Sequence, residues 1–126
     1  MPSQFFCPQC WKEIDEKADQ CLSCGYQLEK YKTLSYEEKL MNALHHPLRE
    51  NRMIAIQVLG ELQSRSVLPL FASLLKTEED FFVIREIMIA LKKIGGPKSE
   101  EMLHRLEAHP SRLVKNEAKR LLGDRK

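Results

Sequence analysis

The chain has 126 residues, enough for one ordinary domain or for a very small one joined to a medium one. Its 43% apolar and 30% charged residues are the proportions of a soluble globular protein and exclude the disordered and low-complexity classes. The formal charge of +2 is divided unevenly, with nine Lys and Arg against twelve Asp and Glu in residues 1–80 and eleven against six in residues 81–126.

The start, MPSQFFCPQC, has no basic region followed by an apolar run, and no stretch approaches the ~20 apolar residues of a membrane span. A cytoplasmic location without a membrane partner is therefore expected. The next stretch, CPQCWKEIDEKADQCLSCG, holds every cysteine: Cys7, Cys10, Cys21 and Cys24 form two CxxC pairs ten residues apart. Metal ligands, a disulfide staple and a redox centre are the three readings. Disulfides rarely persist in a reducing cytosol, and a thioredoxin-like CxxC calls for a βαβ context that this short polar stretch does not supply. Two CxxC turns facing each other offer the four sulfurs that tetrahedral Zn²⁺ prefers, so structural zinc is favoured over disulfide, iron and redox chemistry. Pro8 and Gly25 suit such turns, the first by fixing φ and the second by accepting a positive φ.

The stretch CPQCWKEIDEKADQCLSCGYQL resembles the short zinc ribbons of prokaryotic proteins. Cys7, Pro8, Cys10, Ile14, Ala18, Cys21, Cys24, Gly25 and Leu28 fall on that pattern, while Trp11 stands where the family usually has Gly. The resemblance implies a structural ion held by Cys7, Cys10, Cys21 and Cys24, with all four positions filled by sulfur and none open to substrate. The apolar residues nearby, Phe5, Phe6, Trp11, Ile14, Ala18, Tyr26 and Leu28, are too few for a self-sufficient core.

KYKTLS reads as a polar linker leading to a helix start at Ser35, with Glu38 completing a capping box. A boundary near residue 32 divides the chain into an expected zinc ribbon (1–32) and a helical domain (33–126). Beyond it the apolar residues keep helical spacing. RMIAIQVLGEL, IREIMIALKKI and VKNEAKRLLG superpose at steps of 31 or 32, which aligns Leu59 with Leu91 and Leu122, Ala55 with Ile87 and Ala118, and Arg52 with Ile84 and Lys115. His46-Pro47 and His109-Pro110 recur 63 residues apart. A period of ~31 with two helices per unit means stacked helical hairpins, a short α-solenoid in a mainly α chain. Helices are predicted at 36–45, 49–63, 66–76, 80–94, 98–108 and 111–122, with Gly95-Gly96-Pro97 as the sharpest break. The pattern resembles the HEAT-like repeats of phycobilin lyases, on Asn51, Arg52, Ala55, Leu59, Gly60, Pro69, Leu74 and Leu75, and again on Val83, Ala90, Leu91, Gly95 and Pro97. Ile84 departs from it where an Arg is usual, with Arg85 beside it. One end of so short a stack needs a cap, for which the ribbon is the candidate. The stripe Val114, Ala118, Leu121 and Leu122 on the last helix favours self-association wherever it stays uncovered.

Function is expected to be non-enzymatic: a protein-interaction scaffold whose groove, lined mainly by the second helix of each hairpin, holds a protein segment. Two alternatives stand beside it. One is nucleic-acid binding through the ribbon and the basic residues Lys92, Lys93, Lys98, Arg112, Lys115, Lys119, Arg120, Arg125 and Lys126. Against it, Lys92, Lys93, Lys119 and Arg120 also suit helix C-termini, and the pI of about 8.3 is below the ~9 of a committed binder. The other is a lyase-like or chaperone-like role in cofactor attachment, which the repeat resemblance alone implies. No catalytic residue is identified. His46 and His109 read as turn or cap residues and His104 as a lone surface histidine. Trp11 and Phe81-Phe82 are either local core or partner anchors.

Overall fold

The computed structural model describes residues 5–15 and 17–123. At the N-terminal end two short strands, β1 (Phe5–Phe6) and β2 (Glu13–Ile14), pair antiparallel with Phe5 opposite Ile14. A five-residue helix, α1 (Leu28–Lys32), follows them. It takes up the first half of the stretch read from sequence as a linker. Its apolar positions explain the difference: Leu28 is buried and Tyr31, one turn on, is half-buried.

The remaining helices are α2 (Tyr36–Ala43), α3 (Arg49–Glu61), α4 (Leu68–Thr77), α5 (Phe81–Ile94), α6 (Gly96–Leu106) and α7 (Arg112–Gly123). The predicted capping box forms at α2, where the Ser35 hydroxyl accepts from the Glu38 N–H at 3.1 Å and the Glu38 carboxylate accepts from the Ser35 N–H at 3.0 Å. A 3₁₀ turn (Arg65–Val67) leads into α4, whose first turn holds Pro69. Helix α6 begins two residues before the expected 98, because Gly95 at φ 68° ends α5 and Pro97 can sit in the next first turn.

Helices α3, α5 and α7 stack in one layer, and α2, α4 and α6 form the other. The repeat positions fall where the period puts them, with Ala55, Leu59, Ile87, Leu91 and Ala118 all buried. Gly60 lets α3 approach α5 closely, since a Cβ there would lie 2.9 Å from both Cα and Cβ of Ala90. At α7 the stack closes on itself. Val114, Ala118 and Leu121 are buried against the preceding helices, whereas Arg112, Asn116, Lys119 and Arg120 face outward. The stripe expected to drive self-association is thus largely covered, with Leu122 half-buried and an outer face that is mainly polar apart from the exposed Leu113, as at the capped end of a solenoid. Among the described residues, no helix is long and apolar enough to cross a membrane.

Candidate functional site

The two CxxC turns are built alike. In the first, the Cys7 N–H donates to the Lys12 carbonyl at 2.9 Å and the Trp11 N–H to the Cys7 carbonyl at 2.9 Å. In the second, the Cys21 N–H donates to the Tyr26 carbonyl at 3.0 Å and the Gly25 N–H to the Cys21 carbonyl at 2.9 Å. Trp11 and Gly25 hold the same place and both have positive φ, 64° and 82°. Glycine is relaxed there, whereas tryptophan is strained by an amount on the order of 1 kcal/mol.

The turns bring the sulfurs of Cys7, Cys10, Cys21 and Cys24 within 4.8 Å of one another. Cys7 and Cys24 are 3.6 Å apart, and Cys10 and Cys21 3.7 Å. Sulfurs at the ~2.3 Å of a zinc–sulfur bond lie about 3.8 Å apart in a tetrahedron, so the group fits a four-coordinate ion. The thiols also compete for protons. A hydrogen bond from the Cys24 backbone N–H chiefly, opposed by burial, brings the Cys21 thiol down to about 6. The Tyr26 N–H favours ionisation of Cys24, but burial and the sulfurs of Cys7, Cys10 and Cys21 outweigh it and push that thiol up to about 12. Four thiolates in so small a volume call for a cation, and a metal ion supplies one as it displaces the protons.

The first turn also meets the helices. The Asn42 side chain on α2 donates to the Pro8 carbonyl at 2.9 Å. The His46 ring lies between Phe6 and Trp11, with centroids 5.0 Å and 5.2 Å away. Its Nδ1 accepts from the Leu48 N–H at 3.0 Å, and Arg52 donates to the His46 carbonyl at 2.9 Å. Burial first, and Arg52 second, hold the His46 pKa below its usual value. Trp11 is therefore a half-buried contact of the junction. His109 repeats the turn, its Nδ1 accepting from the Ser111 N–H at 3.0 Å, and His104 pairs with Glu107 at 2.8 Å.

The basic residues are not one free surface. Lys92 donates to the Leu121 carbonyl, Lys93 pairs with Glu61, and Arg120 pairs with Glu117. Lys98, Arg112, Lys115 and Lys119 make no ion pair among the described residues, and Arg125 and Lys126 lie outside them. Three ion pairs join neighbouring repeats at steps of 31 or 32 residues: Arg49–Asp80 at 3.0 Å, Glu61–Lys93, and Arg85–Glu117 at 3.1 Å. Ile84 is buried where the repeat pattern usually has Arg; Arg52, the Arg at the equivalent position, bonds the His46 and Pro47 carbonyls, and Arg85 beside Ile84 pairs with Glu117. Phe81 packs against the core, while Phe82 is 55% exposed.

A cleft of about 170 Å³ lies between α4 and α6, walled by Ala72, Leu75 and Lys76 on one side and Met102, Arg105 and Leu106 on the other. The sequence indicated a groove on the second helices. That a cleft opens between α4 and α6 was not marked in the sequence, because its two walls come from helices about thirty residues apart. Opposite charges one period apart were the available signal for the ion-pair ladder.

Residues 37–123 match the family model for HEAT repeats, a span that leaves the four cysteines outside. No curated protein and no solved structure matches the chain.

Proposed function

The chain belongs to the HEAT-repeat family, and from that premise we propose that it is a non-enzymatic protein-interaction module with a structural zinc ion at Cys7, Cys10, Cys21 and Cys24. The observation that carries the interaction reading is the open cleft between α4 and α6, lined by Ala72, Leu75, Met102 and Leu106, on the helix layer left uncovered by the stacking of α3, α5 and α7. The ribbon (1–32) and the repeat domain (33–126) are read as separate folding units. When bound, zinc supplies folding energy, because sulfur fills its coordination sphere. The chain's own part is to hold the sulfurs in place through the two matched turns and to keep the first turn against α2. A reducing compartment such as the cytoplasm keeps the four thiols available for metal.

The nucleic-acid reading draws on Lys98, Arg112, Lys115 and Lys119, which make no ion pair among the described residues, but it leaves the apolar lining of the cleft without a role. The role in cofactor attachment has no support beyond the likeness of the repeats. The test is affinity capture with the full chain, with and without nuclease, beside a variant whose cleft is filled by Ala72→Phe. Partners that survive nuclease and vanish with the filled cleft are expected. Partners lost to nuclease, or retained equally by the variant, would contradict the proposal.

A further inference from the structure

We propose that the cleft between α4 and α6 accepts one bulky apolar side chain, Phe-sized or Leu-sized, from an acidic segment of a partner protein. This rests on the interaction reading above and gives the partner a chemistry. The size of the cleft sets the anchor, since its volume of about 170 Å³ is near the ~150 Å³ that holds a benzene-sized guest in an apolar cavity. A whole helix face does not fit, but a single ring or branched side chain does. Its apolar lining is Met102 and Leu106, both buried, on one side and half-buried Ala72 and Leu75 on the other.

The rim sets the flanking chemistry. Each helix contributes one exposed cation, Lys76 from α4 and Arg105 from α6. Lys76 makes no ion pair among the described residues. Arg105 pairs with Glu101 at 2.6 Å on its own helix, an exposed pair of the kind worth little in water and readily exchanged for an incoming carboxylate. A segment with carboxylates on both sides of its anchor meets a cation on either bank. A basic segment meets two like charges, which costs affinity and slows encounter. A nucleic-acid strand would leave the apolar lining without a partner. Within the chain, Glu78-Glu79-Asp80 followed by the exposed Phe82 places carboxylates on one side of an aromatic anchor, so a second copy is the rival occupant.

The experiment measures fluorescence anisotropy of the full zinc-loaded chain with three dye-labelled peptides of equal length. One is Glu-rich with a single central Phe, the second has Ala for that Phe, and the third has Lys for every Glu. The first is expected to bind, and the other two to bind at least tenfold more weakly. Ala72→Phe should cost the first peptide at least tenfold, while Lys76→Glu combined with Arg105→Glu should reverse the preference toward the Lys peptide. Unchanged helical circular dichroism is required of both variants, and the second is a surface change that leaves the core intact. Equal binding of acidic and basic peptides, or binding indifferent to these variants, overturns the proposal. Concentration-dependent self-association abolished by Phe82→Ala and by the filled cleft also overturns it, in favour of a second copy. If no peptide binds while nuclease-resistant partners still depend on the cleft, the acidic chemistry is wrong and the interaction module stands. If neither is seen, both fall.

Discussion

Glu117 ties the last helix to the stack with a single carboxylate. It accepts from Arg120 on its own helix at 2.7 Å and 2.9 Å, and from Arg85 on α5 at 3.1 Å. Its side chain is only 12% exposed, and Arg120 foremost, with Arg85 behind it, holds its pKa down at about 2. The folded pKa therefore lies below the ~4.3 of an unfolded glutamate. Its contribution is present above that value and is lost as pH falls toward 2. Because both arginines are about half-exposed, the contribution is on the order of 1–2 kcal/mol. Denaturant titration of Glu117→Gln should show a loss of that order at pH 7 that shrinks steadily below pH 4, and a pH-independent loss would contradict the bridge. Ser99 is the opposite case, a hydroxyl buried at 0% exposure with no hydrogen-bond partner among the described residues. Removing a hydroxyl that gave up its water for nothing should help, so Ser99→Ala is expected to stabilise the fold by about 1 kcal/mol. A lower thermal midpoint for that variant would show that Ser99 has a partner after all.

Among the elements, the repeat helices were legible because periodicity is a property of the sequence itself. Ala55, Ile87 and Ala118 align at the repeat step and are buried in turn, and the capping residues Ser35 and Glu38 act where they were read. Helix α1 was not legible, because its two apolar positions, Leu28 and Tyr31, gain meaning only once the ribbon is there to cover them. The cysteine cluster was legible in its spacing, since two CxxC turns need only close locally. Its contact with Asn42 on α2 and with His46 in the following turn was not, for a hydrogen bond across 34 residues leaves no local pattern. Gly60 lies between these cases: the repeat motif marks it, and the closeness of α3 to α5 gives the reason. Ala there gains about 1 kcal/mol of helix propensity but drives a Cβ into the backbone and side chain of Ala90, an overpacking that costs about 1–3 kcal/mol. Gly60→Ala should therefore lower the thermal midpoint by several degrees. Ala90→Gly in the same chain should recover only part of the loss, because the Cα of residue 90 remains in the way. A neutral Gly60→Ala would mean that the two helices separate at little cost.

For the whole molecule, the first CxxC turn meets the helices at a junction, beside which Lys39 of α2 lies over the Tyr31 ring of α1 at 5.3 Å. That turn sets the Pro8 carbonyl against Asn42 and presses Trp11 and Phe6 on the His46 ring, whose Nδ1 accepts from the Leu48 N–H while the His46 backbone carbonyl accepts from Arg52 on α3. If the four cysteines hold the proposed structural zinc, its binding is worth ~10–16 kcal/mol as in other small zinc modules, comparable with the ~5–15 kcal/mol net stability of a whole domain, so the turn is expected to unfold when the ion is removed. Removing the ion should then act at a distance. Hydrogen exchange after chelation is expected to speed through residues 5–27 and also through α2, while α5 and α7, packed on each other and on α6, keep their protection. Trp11→Ala separates the two effects, since it leaves all four sulfurs in place and removes a face of the His46 contact. It should retain one zinc per chain and still speed exchange in α2. Protection of α2 that is unchanged by both treatments would mean that the N-terminal unit is tethered to the repeats without supporting them, and that α2 is held by its packing on α3.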